Sequence, residues 1–102
     1  MQSSLYLFVE FDWPNELTKE TAGLAKQLHT QVTEVDWIEE VIAASGGLGG
    51  ELGSVWVFKV ENYAALDRLL RDREDEIAQT YMQFFSRMAK VRDRVREEVI
   101  FR

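Results

Sequence analysis

The stretch Gly46 to Leu70, GGLGGELGSVWVFKVENYAALDRLL, sets out three pieces of local structure in a row. Ser45 to Gly53 holds five glycines in nine residues and predicts a tightly turning connection. Ser54 to Val60 predicts a strand. Trp56, Phe58 and Val60 share one face, Val55, Val57 and Lys59 the other, and both faces are largely apolar. Asn62 then offers an N-cap to a helix carrying Leu66, Leu69 and Leu70. The rest of the chain can be arranged around that strand.

Upstream, residues 3–12 (SSLYLFVEFD) predict a first strand, with Leu5, Leu7, Val9 and Phe11 on one face. The other face, Tyr6, Phe8, Glu10 and Asp12, starts apolar and ends acidic. A strand open to water on one side alternates more cleanly, so this one is expected to be covered on both sides. Asp12-Trp13-Pro14 predicts a helix start, with Asp12 as cap and Pro14 in the first turn. Leu17, Thr21, Leu24 and Leu28 continue at helical spacing to about residue 30, and Gly23 suggests close packing against a sheet. Residues 32–44 predict a second strand whose adjacent Glu39 and Glu40 mark it as an edge or as bulged.

Downstream, the charged run Arg71 to Glu76 marks a bend. A second helical stripe then runs through Ile77, Tyr81, Phe84, Phe85, Met88, Val91 and Val95, and Glu98 to Arg102 predicts a short closing strand. The order β-α-β-β-α-β is the ferredoxin-like pattern: a four-stranded antiparallel sheet with helices on one face only. Helices on one side leave the second apolar face of strands one and three uncovered. An exposed face of that kind associates, so the expected cover is a second copy, the two sheets closing on each other.

Length and composition bound the function classes. The 102 residues predict one domain, 1–102, with a single core. Without cysteine there is no disulfide or thiolate metal site, and no run is long and apolar enough to span a bilayer. No signal peptide is evident, and the expectation is a soluble, cytoplasmic protein with no membrane partner. The net charge of −6 argues against general nucleic-acid binding. Residues 86–102 nonetheless carry six bases against three acids, read here as a solvated helix face that balances the acidic remainder.

The layout resembles the dimeric α+β barrel superfamily over nearly the whole chain. The words that carry the likeness are SLYLFVEFD and GGLGGELGSVWVFKVENYAALDRLL, the latter similar to NIPSNAP-like and related members. The resemblance implies a homodimer with a pocket between sheet and helices. The superfamily also includes cofactor-independent monooxygenases, haem-binding members and isomerases, so the resemblance does not choose a chemistry. Haem-binding members would place a ligand histidine in the second helical region. The one histidine here, His29, lies near the end of the first helix and reads as structural.

Among residues that could carry chemistry, Glu10 and Lys59 share the face turned away from the helices on neighbouring strands. They are expected to meet, as a cross-strand ion pair or as a polar anchor that orients a ligand or moves a proton. Tyr6, Trp37 and Tyr81 each join an apolar body to a polar tip and are the aromatic candidates for a pocket holding a hydrophobic small molecule. The glycine loop leads into a strand and has no basic residue, so it lacks the context of a phosphate cradle. Glu39 and Glu40 are expected on opposite faces of their strand, which leaves no metal site, and no cofactor is implied. Two function classes follow: a small homodimeric binding protein with an apolar pocket, or a cofactor-independent monooxygenase or isomerase acting on an aromatic molecule.

Overall fold

Strand β1 (Leu5–Asp12) alternates strictly between buried and half-buried residues, and that alternation sets the layers of the molecule. The computed structural model describes residues 3–101. After β1 come α1 (Lys19–Thr33), β2 (Ile38–Ser45), β3 (Ser54–Val60), α2 (Tyr63–Arg71), α3 (Glu76–Ser86) and β4 (Lys90–Glu97). The strands form one antiparallel sheet in the order β2-β3-β1-β4, with the helices on one face. This is the ferredoxin-like fold that the sequence predicts.

The helix-side face of the two central strands is sealed. Leu7, Val9, Phe11, Phe58 and Val60 are fully buried there. Leu28 and Val32 of α1, Leu69 of α2 and Phe84 of α3 close over them. Rings from the two layers meet edge to face, with Phe84 5.9 Å and Phe85 5.4 Å from Phe11. Side chains on the opposite face, including Tyr6, Phe8, Val55 and Val57, are only half-buried. That face has no layer above it in the single chain.

Several local expectations are corrected. Helix α1 starts at Lys19, where the Thr18 hydroxyl accepts from the Thr21 amide at 3.1 Å. Asp12 instead ends β1, and its carboxylate accepts from the Gly53 amide at 2.9 Å, which ties the glycine loop to the sheet. Leu17, ahead of the helix, is exposed. Helix α1 runs on to Thr33, so Val32 belongs to the core of a helix and β2 begins only at Ile38. Gly23 packs against nothing within 4 Å of where a Cβ would stand.

The second helical region breaks at the charged run, as expected. The Asp75 carboxylate caps α3 by accepting from the Ile77 and Ala78 amides. The apolar stripe, however, leaves the helix after Met88. Val91 and Val95 lie on β4, and residues 98–101 form no strand, so the closing strand is Lys90–Glu97. The basic segment is therefore an edge strand and not a helix face. Sequence periodicity cannot separate a continuing helix from a strand here, because Val91 and Val95, four residues apart, fit both the next turn of one and the inner face of the other.

Candidate functional site

Register places the candidate residues on different sides of the sheet. Tyr6 stands directly opposite Lys59, and Glu10 stands opposite Val55, four residues further along the strand. Glu10 and Lys59 share the open face but do not meet. Glu10 pairs with Arg94 at 3.6 Å. Lys59 pairs with Glu98 at 3.0 Å and Glu39 at 3.8 Å, and its Nζ lies 5.7 Å from the centre of the Tyr6 ring. The hydrogen bond from Lys59 holds the Glu98 carboxyl below the usual carboxylate range, against the opposing effect of desolvation.

Trp37 and Tyr81 lie elsewhere. Trp37 sits just ahead of β2 with the Arg68 guanidinium 4.2 Å from its ring centre, and Arg68 Nε donates to Asp75 at 2.7 Å. That stack clamps the entry to β2 onto α2 and the start of α3. Tyr81 is buried on the helix side, 4.6 Å from Phe85 and 5.7 Å from Phe58. His29 is exposed on α1, its ring edge-on to Trp56 at 6.1 Å. The five candidates thus do not converge on one pocket.

A bulge explains a further difference. Ile38 pairs with Val60 but Glu40 pairs with Lys59, so Glu39 is the extra residue. The shift brings the Glu39 carboxylate to Lys59 on the same side as Glu40, where simple alternation separates them. No group of acids or histidines among the described residues could hold a metal ion.

On the helix side the described residues leave a cleft of ligand size. Helices cover β1, β2 and β3 but leave the inner face of β4 largely open, with Val91 exposed and Val95 partly buried. Between β4 and α2 lies a cleft of about 490 Å³ lined by Tyr63, Leu66, Asp67, Leu70, Arg71 and Val95. Asp93 is the next residue on that inner face, opposite Val9. It remains open to water along the strand edge and makes no ion pair among the described residues, yet desolvation pushes its pKa up. Burial, and then the charge of Asp93, raise the Tyr81 phenol well above its ordinary value. Tyr81 is therefore a firm O–H donor and Asp93 an acceptor of raised basicity. Asp93 escaped the sequence reading because a helix was extended through it.

A second, smaller hollow of about 240 Å³ lies at the β2–β3 end between Trp13 and Trp56. Its floor is a chain of polar contacts: Trp13 Nε1 donates to Ser54 Oγ at 3.1 Å, and Ser54 Oγ lies 2.8 Å from Ser45 Oγ. Those groups satisfy one another, which makes them structural.

No family model matches the sequence, and no curated protein matches it. Solved structures do. The chain is similar to the hydroxynitrile lyase of Passiflora edulis at 8% identity and a TM-score of 0.75, over 97% of this chain and 96% of that one. It is similar to a ferredoxin-like protein of the DABB family from Mesorhizobium loti at 7% identity and a TM-score of 0.72, over 96% and 99%. A NIPSNAP family protein of unknown function from Agrobacterium tumefaciens matches at 9% identity and a TM-score of 0.64, over 99% and 93%. Other chains of this fold are described as dimeric ferredoxin-like proteins of unknown function. At these identities the likeness is one of fold alone, the ferredoxin-like fold that the sequence predicts.

Proposed function

We propose that this chain acts as a homodimer, joined through the open face of its sheet, and binds a small hydrophobic molecule in the cleft along β4. The carrying observation is the cleft itself, walled by Leu66, Leu70 and Val95, with Asp93, an acid without an ion-pair partner among the described residues, two residues before Val95 on the same face of β4, where its charge acts on the buried Tyr81 phenol. A carboxylate held in such a place costs stability unless a ligand uses it, and perturbed acids in clefts mark functional sites. The ligand has an apolar body that lies against Leu66, Leu70 and Val95, and a hydroxyl or carbonyl that meets Asp93 or Tyr81. The dimer accounts for the uncovered apolar face and agrees with the dimeric state described for chains of this fold. Tyr6, Glu10 and Lys59 belong to the dimer face in this reading, Trp37 to the clamp on α2, and Tyr81 to the buried core, where it feels the charge of Asp93.

The same pair favours a second reading, a cofactor-independent isomerase. Asp93 would take a proton from the carbon between a carbonyl and a double bond and return it to the far end of the resulting dienolate, shifting the double bond and regenerating the carboxylate, while Tyr81 donates a hydrogen bond to the oxyanion in between. The monooxygenase reading has no comparable support from the residues present.

The test is native mass spectrometry of the freshly purified protein, followed by a thermal-shift screen of small phenols and enones. A dimer that gains stability with a screened compound, and loses that gain in Asp93→Asn and Tyr81→Phe, supports binding at β4. Compounds that bind both variants as they bind the parent place the site elsewhere. Turnover of an enone that disappears in Asp93→Asn supports the isomerase.

A further inference from the structure

The register of the sheet lays out the charges of the open face in rows that run across the strands. One row reads Glu40, Lys59, Tyr6, Arg96 from the β2 edge to the β4 edge. The next row towards the sheet centre has an apolar middle, Val57 and Phe8, and ends in Arg94. Beyond it, Arg92 continues the basic edge. The open face thus has an apolar centre and a basic β4 rim, while the β2 rim is acidic only at one end, where Glu39 and Glu40 precede Ile42 and Ala44. Arg92 and Arg94 are already paired within the chain, to Glu51 and Glu10. Arg96 bonds only its neighbour's carbonyl, Val95 O, and neither it nor Glu40 has an ion-pair partner among the described residues.

Two identical sheets can stack face to face about a two-fold axis that runs along the strands or across them. An axis across the strands lays β4 on β4, basic rim on basic rim, and like charges in contact cost affinity. An axis along the strands lays β4 on β2 and keeps every row at its own level. Arg96 then meets Glu40, because the two occupy opposite ends of one row. We propose that the dimer forms about the axis along the strands, with Arg96 of each copy paired to the partner's Glu40. The Phe8 and Val57 rows close the centre, and the two charge pairs lock the direction of stacking. This rests on the dimer reading above and adds to it which edges meet.

The test uses the full chain, whose lack of cysteine makes disulfide trapping clean. Glu40→Cys/Arg96→Cys, mildly oxidised, is expected to run as a covalent dimer, while Glu40→Cys alone and Arg96→Cys alone stay uncrosslinked. Analytical ultracentrifugation supplies the second measurement. Glu40→Lys and Arg96→Glu are each expected to weaken the dimer about ten-fold or more, and Glu40→Lys/Arg96→Glu to recover most of that loss. Crosslinking of Arg96→Cys to itself, or a double reversal no tighter than either single one, overturns the axis while leaving the dimer standing. A parent chain that sediments as a monomer at every concentration overturns the dimer itself, and the axis with it.

Discussion

Lys59 lies directly across the strand pair from Tyr6, its ammonium 5.7 Å from the ring centre and 3.0 Å from the Glu98 carboxylate. The arrangement makes Lys59 a tie between β3 and the segment that follows β4, with the Tyr6 ring as its floor. The hydrogen bond to Glu98 raises the lysine above its ordinary value of 10.5, outweighing desolvation. Glu98→Gln is therefore expected to bring the Lys59 Nζ titration down towards 10.5, read by NMR of the labelled side chain. A folded pKa raised above the unfolded one contributes stability below pH 10.5 that disappears as pH rises through the folded value. At the acid end the depressed Glu98 contributes above its ordinary 4.5 and loses that contribution as pH falls through its folded value. The parent and Glu98→Gln should differ in thermal stability at neutral pH and converge at both extremes. A constant gap from acid to alkali contradicts the ion pair.

Asp75 ties the second helical region together. Burial works against its charge, but the Arg68 guanidinium and the Ala78 and Ile77 amides prevail and hold its carboxyl below the usual range. Asp75→Ala removes the cap of α3 and one arm of the clamp on Trp37, at an expected cost of about 1–2 kcal/mol in urea unfolding. The contribution is present above the ordinary aspartate value of 3.8 and fades as pH falls through the lower folded value. Equal urea midpoints for parent and variant at pH 7 contradict this account.

Gly23 is an opportunity left in α1. It faces open space in an ordinary helical conformation, so a methyl group meets nothing. Gly23→Ala should raise stability by about 0.5–1 kcal/mol through helix propensity alone. A loss of stability would show that α1 packs against something there.

Asp93 separates function from stability. Asp93→Val continues the Val91 and Val95 face of β4 and removes a desolvated acid, and should stabilise the fold by up to about 1 kcal/mol. It should also abolish binding of any compound found in the thermal-shift screen. Because desolvation raises the folded pKa of Asp93, the parent regains stability as pH falls and the carboxyl protonates. The advantage of Asp93→Asn should therefore be largest at neutral pH and shrink in acid. A destabilised Asp93→Val would assign the carboxylate a structural partner.

Much of this was legible in the chain. Trp56, Phe58 and Val60 alternate so cleanly with Val55, Val57 and Lys59 that β3 could be drawn to its ends; β1 was drawn to its C-terminal end, Asp12, but two residues too early at its start. Asn62 marks the start of α2, and its side chain does accept from the Ala65 amide at 2.9 Å. The bend at Arg71 to Glu76 and the edge position of β2 were also readable. The boundaries that failed share one cause: a local signal with two uses. Asp12 can cap a helix or hold a glycine loop, and Val91 and Val95 can extend a helix stripe or line a strand.

What the sequence determined by itself was the alternation of side chains within each strand, since a period of two is a local property of extended backbone. It thereby told which residues of β1 and β3 share a face, and that two apolar faces need two covers. Only the tertiary structure decided who stands beside whom across strands. Register set Lys59 against Tyr6 and away from Glu10, and one extra residue at Glu39 turned the rest of β2 over. Strand pairing likewise set Asp93 opposite Val9 on the helix-side face of β4 and put Arg96 and Glu40 at the two ends of one row. These are non-local facts, because the spacing between partners is fixed by loops and bulges that the pattern within a strand does not record.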